Sequence, residues 1–246
     1  MSFNIKEAIL IGEGRVGKVY KLNQRAYKVY PLTHPREWIQ YEIDIHQLIK
    51  NQTKLNIPSM NYTVDSNVIE MDLIEGVDLT TRMKRDHYKE GLDDLIKLQL
   101  TVYQYQNLKL MNALDDYYSS IISSPYTDLK EYALESLKKI KRDDKLCHFD
   151  FHPSNIMFDG TNYIIIDWTN VKLGNPVMDI ARTYIILKQY AKRLSGKYLR
   201  LVIKRSNYQK DEVINALPLM AYMRLLEMPQ DEFTKTLIKM IKGEEV

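Results

Sequence analysis

The sequence has few of the features that mark secreted, membrane-spanning or nucleic-acid-binding proteins. It contains one cysteine, Cys147, among 246 residues, which excludes an internal disulfide and favours a reducing compartment. The first residues form no apolar core of the kind found in secretory signals, and the longest apolar runs, 163–166 and 184–187, are far too short to cross a bilayer. We therefore expect a cytoplasmic protein with no membrane partner.

An excess of charge of one sign is also missing. The chain has 35 Lys and Arg against 32 Asp and Glu, a net charge of only +3, and both signs are scattered along its length. Nucleic-acid-binding proteins usually concentrate basic residues on one face, so no nucleic-acid partner is expected. The composition, 45% hydrophobic and 27% charged, is that of a globular protein with enough chain for one large domain or two lobes.

Strand patterns dominate the chain up to Gly76. Short runs of β-branched and aromatic residues, separated by turn-forming residues, predict strands. These strands are expected at 9–12, 18–22, 25–30, 61–64 and 68–73. One helix is predicted between them over 34–50, with Pro35 at its first position. Its predicted apolar positions are Trp38, Tyr41, Ile45 and Leu48.

Helical patterns dominate the rest of the chain. Apolar residues recur at helical spacing over 91–110 and again over 128–140, and a β-rich interruption lies at 145–171. The sequence therefore predicts an α+β fold of two lobes. Residues 1–75 form a small antiparallel sheet with one helix, and residues 76–246 form a larger, mostly helical lobe.

Gly12, Gly14 and Gly17 lie in the stretch GEGRVGKV, a full match to the pattern G-x-G-x-x-G-x-V. Without a Cβ atom, glycine lets backbone N–H groups approach phosphate oxygens closely. The same pattern occurs in dinucleotide-binding loops and in plain hairpin turns. A dinucleotide-binding loop opens a helix, whereas the residues that follow here, KVYKL, have strand character. The arrangement is typical of the flap that covers nucleotide phosphates in kinases, and a plain hairpin turn stays open as the alternative.

Lys28 lies on the third expected strand, one hairpin after the glycine loop. A lysine there suits phosphate binding, although a solvent-facing lysine on an edge strand has the same pattern. A phosphate-binding ammonium needs an anionic partner to hold it. Glu42 on the 34–50 helix is the better candidate and Glu37 the competing one, and either could instead belong to a solvated helix face.

The stretch LCHFDFHPSNIMF contains the pattern H-x-D-x-x-P-x-N from His148 to Asn155. Its aspartate, Asp150, can accept the proton of a hydroxyl group and orient the oxygen for attack, and the asparagine five residues later can give a neutral oxygen ligand to Mg²⁺. A turn between two strands is the plain alternative. A transition-metal site built from His148, Asp150 and His152 is another, but it leaves Pro153 and Asn155 unexplained.

Asp167 follows a run of apolar residues at 163–166, twelve residues after Asn155. A buried strand that ends in a carboxylate is a common way to give a hard cation an anionic ligand beside a phosphate site. The plain alternative is an aspartate that caps the next turn. The spacing from Asn155 favours the metal ligand.

These motifs, in this order, resemble those of the aminoglycoside phosphotransferase and choline kinase-like family, which shares the protein-kinase fold. The resemblance is carried by His148–Asn155, Asp167-Trp168, Gly174-Asn175-Pro176 and Asp179-Ile180-Ala181. It implies a protein-kinase-like fold in which residues 1–75 form the nucleotide-binding lobe. Residues 76–246 then form the catalytic and acceptor-binding lobe.

The resemblance also implies a role for each matching residue. Asp150 is the catalytic base or hydroxyl-orienting residue, and Asn155 and Asp167 are Mg²⁺ ligands. Lys28, held by Glu42, binds the α- and β-phosphates of ATP, with GTP as the other candidate nucleotide.

Three further assignments follow from the same resemblance. The glycine loop covers the phosphates, and backbone groups of Asp72 and Ile74 bind the adenine ring. Asp179 braces the catalytic loop.

Phe149 and Asn175 depart from the family pattern, which usually has glycine and aspartate there. Phe149 is not expected to alter the chemistry, and Asn175 weakens the G-D-P motif without touching a predicted ligand. Only eleven residues separate Asp167 from Asp179, and no A-P-E follows them, so a peptide-docking segment has little room. A small hydroxyl-bearing acceptor is therefore favoured over a protein substrate.

The acceptor itself is left open among aminoglycosides, amino alcohols, sugars and other hydroxyl compounds. A cationic acceptor requires an acidic pocket, for which the candidates are Asp93, Asp94, Asp115, Asp116, Asp211, Glu212, Glu227, Asp231 and Glu232. Basic residues are interspersed with them, so solvated helix faces are the alternative. An atypical protein kinase and a nucleotide-binding scaffold without turnover are the alternative functions.

Overall fold

The computed structural model describes residues 3–14, 16–228 and 231–245. The chain divides into two compact units. The sheet unit comprises Met1–His87 and Ser154–Thr169, and the helical unit comprises Tyr88–Pro153 and Asn170–Val246.

The strands and helices are numbered in chain order. The strands are β1 (Ile9–Glu13), β2 (Lys18–Leu22), β3 (Arg25–Val29), β4 (Met60–Tyr62), β5 (Val68–Asp72), β6 (Val77–Asp78), β7 (Lys145–Cys147), β8 (Ile156–Phe158), β9 (Tyr163–Ile165) and β10 (Lys172–Gly174). The helices are α1 (Arg36–Gln52), α2 (Leu79–Lys84), α3 (Gly91–Val102), α4 (Ala113–Ser123), α5 (Lys130–Lys139), α6 (Pro176–Tyr190), α7 (Lys192–Arg205), α8 (Lys210–Glu227) and α9 (Thr234–Ile241). This is the α+β class that the sequence predicts.

The main sheet of the sheet unit is antiparallel and runs in the order β1-β2-β3-β5-β4. Alternation of side chains along its strands buries one face against α1. The core there consists of Tyr30, Ile39, Ile43, Met60 and Ile69. Lys28 lies on the central strand β3, opposite Val19 of β2 and Ile69 of β5.

Helix α1 lies where the sequence predicts a helix, but its buried face differs. Pro35 is the residue before the helix rather than its first residue. Trp38 and Tyr41, predicted on the apolar face, are 64% and 42% exposed. The buried residues are Ile39, Glu42, Ile43, Ile45, His46 and Ile49. Their spacing of three and four residues forms the core-facing stripe, and the two aromatic residues lie outside it.

A second, smaller sheet in this unit has the order β6-β8-β9. Strand β6 pairs with β8 through Val77 and Phe158, so residues 154–169 belong with the sheet unit. The predicted division after residue 75 had placed them in the other lobe. Gly76 comes directly before β6 and lies close to the end of β8. A Cβ atom at this position would overlap the carbonyl oxygen of Phe158.

Helix α6 is the centre of the helical unit and packs against both α7 and α8. Every residue from Pro176 to Leu187 is buried, although the segment includes Asp179 and Arg182. Helix α8 contains Pro218, which cannot donate a backbone hydrogen bond. The hydroxyl of Ser136 repairs the break, because it donates to the carbonyl of Asn215 at 2.5 Å and accepts from the N–H of Leu219 at 3.2 Å.

The helix predicted over 91–110 is too long. Helix α3 ends at Val102, and the following chain pairs Gln106 with Lys145 of β7. In the part of the chain that the structure describes, no helix is both long enough and apolar enough to span a membrane.

Candidate functional site

The glycine loop joins β1 to β2 in the sheet unit. Gly12 lies at an irregularity of the β1–β2 pairing, and the N–H of Gly14 donates to the carbonyl of Gly17 at 2.8 Å. A Cβ atom at Gly17 would lie only 3.3 Å from the carbonyl oxygen of Val29, so the loop needs glycine to lie this close to β3. Arg15, which follows Gly14 in the sequence, lies outside the described residues.

Lys28 and Glu42 form an ion pair at the buried side of the main sheet. The Nζ of Lys28 lies 2.6 Å from Oε1 of Glu42, and the hydroxyl of Tyr30 donates to the other carboxylate oxygen. Glu42, rather than Glu37, is thus the partner of Lys28. Burial would lower the pKa of Lys28, but the charges of Glu42 and, more weakly, Tyr30 and Asp167 raise it. The ammonium is therefore permanently charged and fixed in position.

The β8–β9 hairpin brings Asn155 and Asp167 together. Asn155 immediately precedes β8, and Asp167 follows β9 by two residues. The carbonyl of Asn155 accepts from the N–H of Ile166 at 3.0 Å, so the two side chains start from adjacent points. Asp167 has a left-handed backbone with φ of 62°, and the hydroxyl of Thr169 donates to its Oδ1 at 2.9 Å. The charge of Asp167 also acts on Lys28.

These two side chains offer a carboxylate and an amide oxygen, the donors that suit Mg²⁺. Magnesium is usually held by one or two such ligands together with substrate phosphates. A complete protein cage is not present: the described residues contain no group of three His, Cys, Asp or Glu able to hold a metal ion. The alternative of a transition-metal site at His148, Asp150 and His152 is therefore not supported.

Asp72 and Ile74 lie at the end of β5, beside a surface cavity of about 580 Å³ in the sheet unit. The N–H of Asp72 donates to the carbonyl of Ser59 at 3.1 Å, and its carboxylate accepts from the N–H of Ser59 at 2.7 Å. The backbone N–H of Asp72 is therefore already used within the protein. The contact predicted between the backbone of Asp72 and adenine would therefore use the carbonyl oxygen of Asp72 and not its N–H group.

Asp150 lies in the helical unit with positively charged and imidazole groups around it. Its Oδ2 is 3.6 Å from Nε2 of His152, and its backbone N–H donates to Nδ1 of His148 at 3.2 Å. Burial alone would raise the pKa of Asp150. The neighbouring His152, with Arg182 and His148, lowers it well below its usual range, so the carboxylate is ionised at neutral pH.

Helix α6 holds the backbone on both sides of Asp150. The N–H of Phe149 donates to Oδ1 of Asp179 at 2.6 Å, and the hydroxyl of Thr183 donates to the carbonyl of Phe151 at 2.9 Å. Asp179 and Thr183 are four residues apart and share one face of α6. The loop that carries Asp150 is thereby fixed to a buried helix.

The network behind Asp179 was not foreseen from the sequence. Its Oδ2 accepts from the hydroxyl of Tyr103 at 2.7 Å and from Nε2 of Gln99 at 3.1 Å, and the hydroxyl of Tyr198 donates to Gln99. Gln99 lies among apolar residues at helical spacing, and such a polar residue on an apolar face was a usable indication. Arg182 is a second one, because it is a lone charge in the otherwise apolar stretch that follows Asp179.

Asn175 has a clear structural role. It is the residue before α6, its side-chain oxygen accepts from the N–H of Val177 at 3.1 Å, and its amide donates to the carbonyl of Lys141. Asparagine and aspartate cap helices about equally well, so the departure from G-D-P preserves the start of α6.

Comparison with known proteins identifies relatives of this arrangement. The model of the phosphotransferase enzyme family matches residues 27–202. Among curated protein sequences, no match was found.

Solved structures of kinases share the fold over nearly the whole chain. The choline kinase LicA from Streptococcus pneumoniae is 15% identical with a TM-score of 0.65, over 96% of this chain and 92% of that one. The amicoumacin kinase hAmiN, in complex with AMP-PNP, Ca²⁺ and Ami, is 13% identical with a TM-score of 0.65, over 98% and 89%. The gentamicin–APH(2″)-IIa complex is 16% identical with a TM-score of 0.62, over 97% and 90%.

The kinase-like fold predicted from the sequence is thus confirmed. The family match spans well over half of the chain and includes Lys28, Asp150, Asn155 and Asp167. The chain belongs to the phosphotransferase enzyme family.

Proposed function

We propose that the chain transfers the γ-phosphoryl group of ATP, or of GTP, to a hydroxyl group of a small metabolite or antibiotic, with Asp150 as the base. One observation carries the proposal. The sheet unit gathers a fixed lysine, Lys28, and the two oxygen donors Asn155 and Asp167. A buried cation beside metal-binding oxygens is what a nucleotide's phosphates require.

The nucleotide is bound by the sheet unit in this proposal. The backbone of the glycine loop covers the phosphates, Lys28 neutralises the α- and β-phosphates, and Glu42 holds Lys28 in place. The carbonyl of Asp72 and the backbone of Ile74 bind the base. The complex of hAmiN with AMP-PNP and Ca²⁺ supports nucleotide and divalent-cation binding in this fold.

Mg²⁺ is the cation we propose, held by Asp167 and Asn155, and when bound it offsets the negative charge of the phosphates. The hairpin that joins these two residues sets their spacing without help from the ion. Thr169 donates to one oxygen of Asp167, which restricts the rotation of the carboxylate.

Asp150 accepts the proton of the acceptor hydroxyl during the transfer. The oxygen forms a bond to the γ-phosphorus, the bond from that phosphorus to the bridging oxygen breaks, and ADP leaves with the electron pair. Asp150 suits this role because it is ionised at neutral pH and because α6 fixes its backbone. We propose the cytoplasm as the compartment, which the single, buried Cys147 supports.

The test is a transfer assay with Mg²⁺, radiolabelled ATP or GTP, and a panel of aminoglycosides, amino alcohols, sugars and hydroxy acids. Asp150→Asn should lower kcat by about 10²- to 10⁴-fold while leaving nucleotide affinity near that of the wild type. A variant that keeps more than half of the wild-type rate contradicts the role of Asp150. Labelling of a generic basic protein, with no labelling of any small acceptor, contradicts the substrate class.

A further inference from the structure

The acids predicted to form a cationic acceptor's pocket are mostly bound within the helical unit itself. Asp115 pairs with Arg142, Asp116 with Lys172, and Asp93 with Arg205. Asp94 accepts from the hydroxyl of Tyr88, and Glu212 and Asp231 accept from backbone N–H groups at helix starts. Each of these carboxylates therefore already has a partner within the helical unit.

The charged groups near Asp150 include buried cations, in contrast to the acidic residues considered above. Arg182 on α6 and Arg224 on α8 are only 2% and 7% exposed, and the charge of Asp150 acts on both guanidinium groups. Both arginines share one carboxylate, that of Glu227 at the end of α8. Two guanidinium groups are thus buried here, with the charges of Glu227 and Asp150 acting on both, in a place where an unsatisfied charge is costly.

Among the described residues, not every N–H donor of these two arginines has a hydrogen-bond partner. The Nε of Arg182 is fully buried and has no hydrogen-bond partner among the described residues. Arg224 donates through Nε and Nη2 to Oε1 of Gln189, at 3.3 and 2.9 Å, and through Nη2 to the hydroxyl of Tyr190. Its Nη1 lies 3.9 Å from Glu227, beyond hydrogen-bond length. An arginine normally satisfies its donors with a carboxylate or phosphate in a forked geometry.

The cluster formed by Arg182, Arg224 and Glu227 is also open to solvent on one side. The side chain of Glu227 is 38% exposed, and Tyr190, which caps the guanidinium of Arg224, is exposed as well. The solvent-exposed side of the cluster is therefore that of Glu227 and Tyr190, while Arg182 stays inside and contacts Glu227. Burial, followed by the like charge of Arg182, lowers the pKa of Arg224, and the charges of Glu227 and Asp150 act in the other direction.

We propose that the acceptor carries an anionic group, a carboxylate or a phosphate, that binds Arg224 beside Glu227 while its hydroxyl is presented to Asp150. The proposal rests on the phosphotransferase function proposed above and specifies its substrate class. It separates the acceptor of this chain from choline and gentamicin, which are cations. Arg224 binds the substrate, and Arg182 is a positioning residue that acts through Glu227.

The experiment compares straight-chain compounds of equal length with a hydroxyl at one end. The other end carries a carboxylate, a phosphate, a carboxamide or an ammonium group. With the wild type, kcat/KM for the carboxylate or the phosphate member should exceed that for the ammonium member by about 10- to 100-fold, the effect of one charge-assisted contact. Comparison of the carboxylate and phosphate members identifies the anionic group. Equal or better use of the ammonium member overturns the proposal.

Variants of Arg224 test whether the preference for an anionic acceptor depends on this cluster. Arg224→Gln should raise KM for the anionic member by about 10- to 100-fold with little change in KM for nucleotide, and Arg224→Lys should restore part of the loss. Lys138→Gln, which removes a charge at an exposed pair with Glu135 on α5, is the matched control and should change neither KM. Thermal unfolding checks that each variant is folded.

A binding measurement decides the case in which none of these compounds is phosphorylated. The carboxylate, phosphate and ammonium members are titrated by calorimetry into the protein saturated with Mg²⁺ and a non-hydrolysable ATP analogue. Binding of an anionic member to the wild type, weakened in Arg224→Gln, supports the proposal. No binding of either anionic member, or equal binding to both proteins, overturns it. Failure of phosphoryl transfer to every acceptor of any charge, while an anionic member still binds through Arg224, would count against the proposed function instead.

Discussion

The backbone N–H of Phe149 donates to the carboxylate of Asp179 at 2.6 Å, and Phe149 makes this contact from a left-handed backbone with φ of 58°. Glycine adopts that conformation freely, and related phosphotransferases usually have glycine at this position, so the phenylalanine carries a steric cost. Its ring is buried and packs edge-to-face on Tyr117, with ring centres 5.6 Å apart. Burial of the ring offsets the strain of the backbone.

Two substitutions at Phe149 separate strain from packing. Phe149→Ala and Phe149→Gly both remove the ring, but only alanine keeps the Cβ clash of the left-handed backbone. The glycine variant should therefore be more stable than the alanine variant by about 1 kcal/mol in denaturant unfolding. At Tyr132, on the exposed face of α5, the same pair should show the reverse order, since alanine is favoured inside a helix. The same order of stability for the alanine and glycine variants at both positions would contradict the backbone strain at Phe149.

His46 should make stability depend on pH. It is buried on α1, its Nε2 lies 3.1 Å from the carbonyl of Pro58, and burial lowers its pKa to about 4. Between pH of about 6.5 and 4, the unfolded chain binds a proton that the folded protein does not. The stabilisation from neutral His46 is therefore complete above pH of about 6.5 and is lost as pH falls, by up to about 3 kcal/mol.

The control for His46 is His46→Gln, which keeps an amide donor for Pro58 and cannot titrate. The free energy of unfolding is measured for both proteins at neutral pH and near pH 4. The difference between the two proteins should become smaller at the lower pH, because only the wild type loses this contribution. A difference between the two proteins that stays constant across this range rules out His46 as the source.

The proposed metal ligands should differ in strength. Asp167→Ala should abolish the Mg²⁺-dependent part of nucleotide binding, and Asn155→Ala should weaken it by about tenfold, because a neutral amide holds a divalent cation less strongly than a carboxylate does. The measurement is nucleotide titration with Mg²⁺ present and chelated. Asp159→Ala removes the same charge from the turn of the same β8–β9 hairpin and should leave binding unchanged. Equal binding by all variants in both conditions would refute both assignments.

Gly76 and Gly196 should respond oppositely to the same change. Gly76→Ala places a Cβ atom 2.8 Å from the carbonyl carbon of Phe158 and should cost about 3 kcal/mol or more by forcing β6 away from β8. Gly196 lies inside α7, where a Cβ atom meets only the end of Arg200 at 3.6 Å. Gly196→Ala should stabilise the protein by about 0.5–1 kcal/mol. Thermal or denaturant unfolding of both variants gives the two signs directly.

Local patterns predicted the parts of the fold that local interactions determine. Runs of β-branched and aromatic residues located strands β1 to β5, and the β-rich segment predicted at 145–171 contains the hairpin that joins Asn155 to Asp167. The pairing of Lys28 with Glu42 rather than Glu37 also matches the favoured candidate. Each of these depends on residues close in sequence or on one face of one element.

The failures concern contacts between distant segments. The end of α3 is set by the pairing of Gln106 with Lys145, and nothing in the periodicity of 91–110 contains that information. The exposure of Trp38 and Tyr41 depends on which side of α1 the sheet covers. The link between Arg182 and Glu227 joins two helices across 45 residues and has no sequence pattern. Periodicity shows that a helix has an apolar face but does not identify what packs on it.

The pairing of β6 with β8 has a consequence for the order in which the chain becomes ordered during synthesis. The ribosome makes the glycine loop, Lys28 and Glu42 early, but β8 and Asp167 emerge only after a long intervening stretch. The nascent sheet unit therefore carries its lysine–glutamate pair before it has Asp167, the carboxylate that we propose binds the metal ion. The loop that bears Asp150 is braced later still, because Asp179 and Tyr198 are translated after it. We therefore expect a partly made chain to be incapable of phosphoryl transfer until at least α7 has left the ribosome.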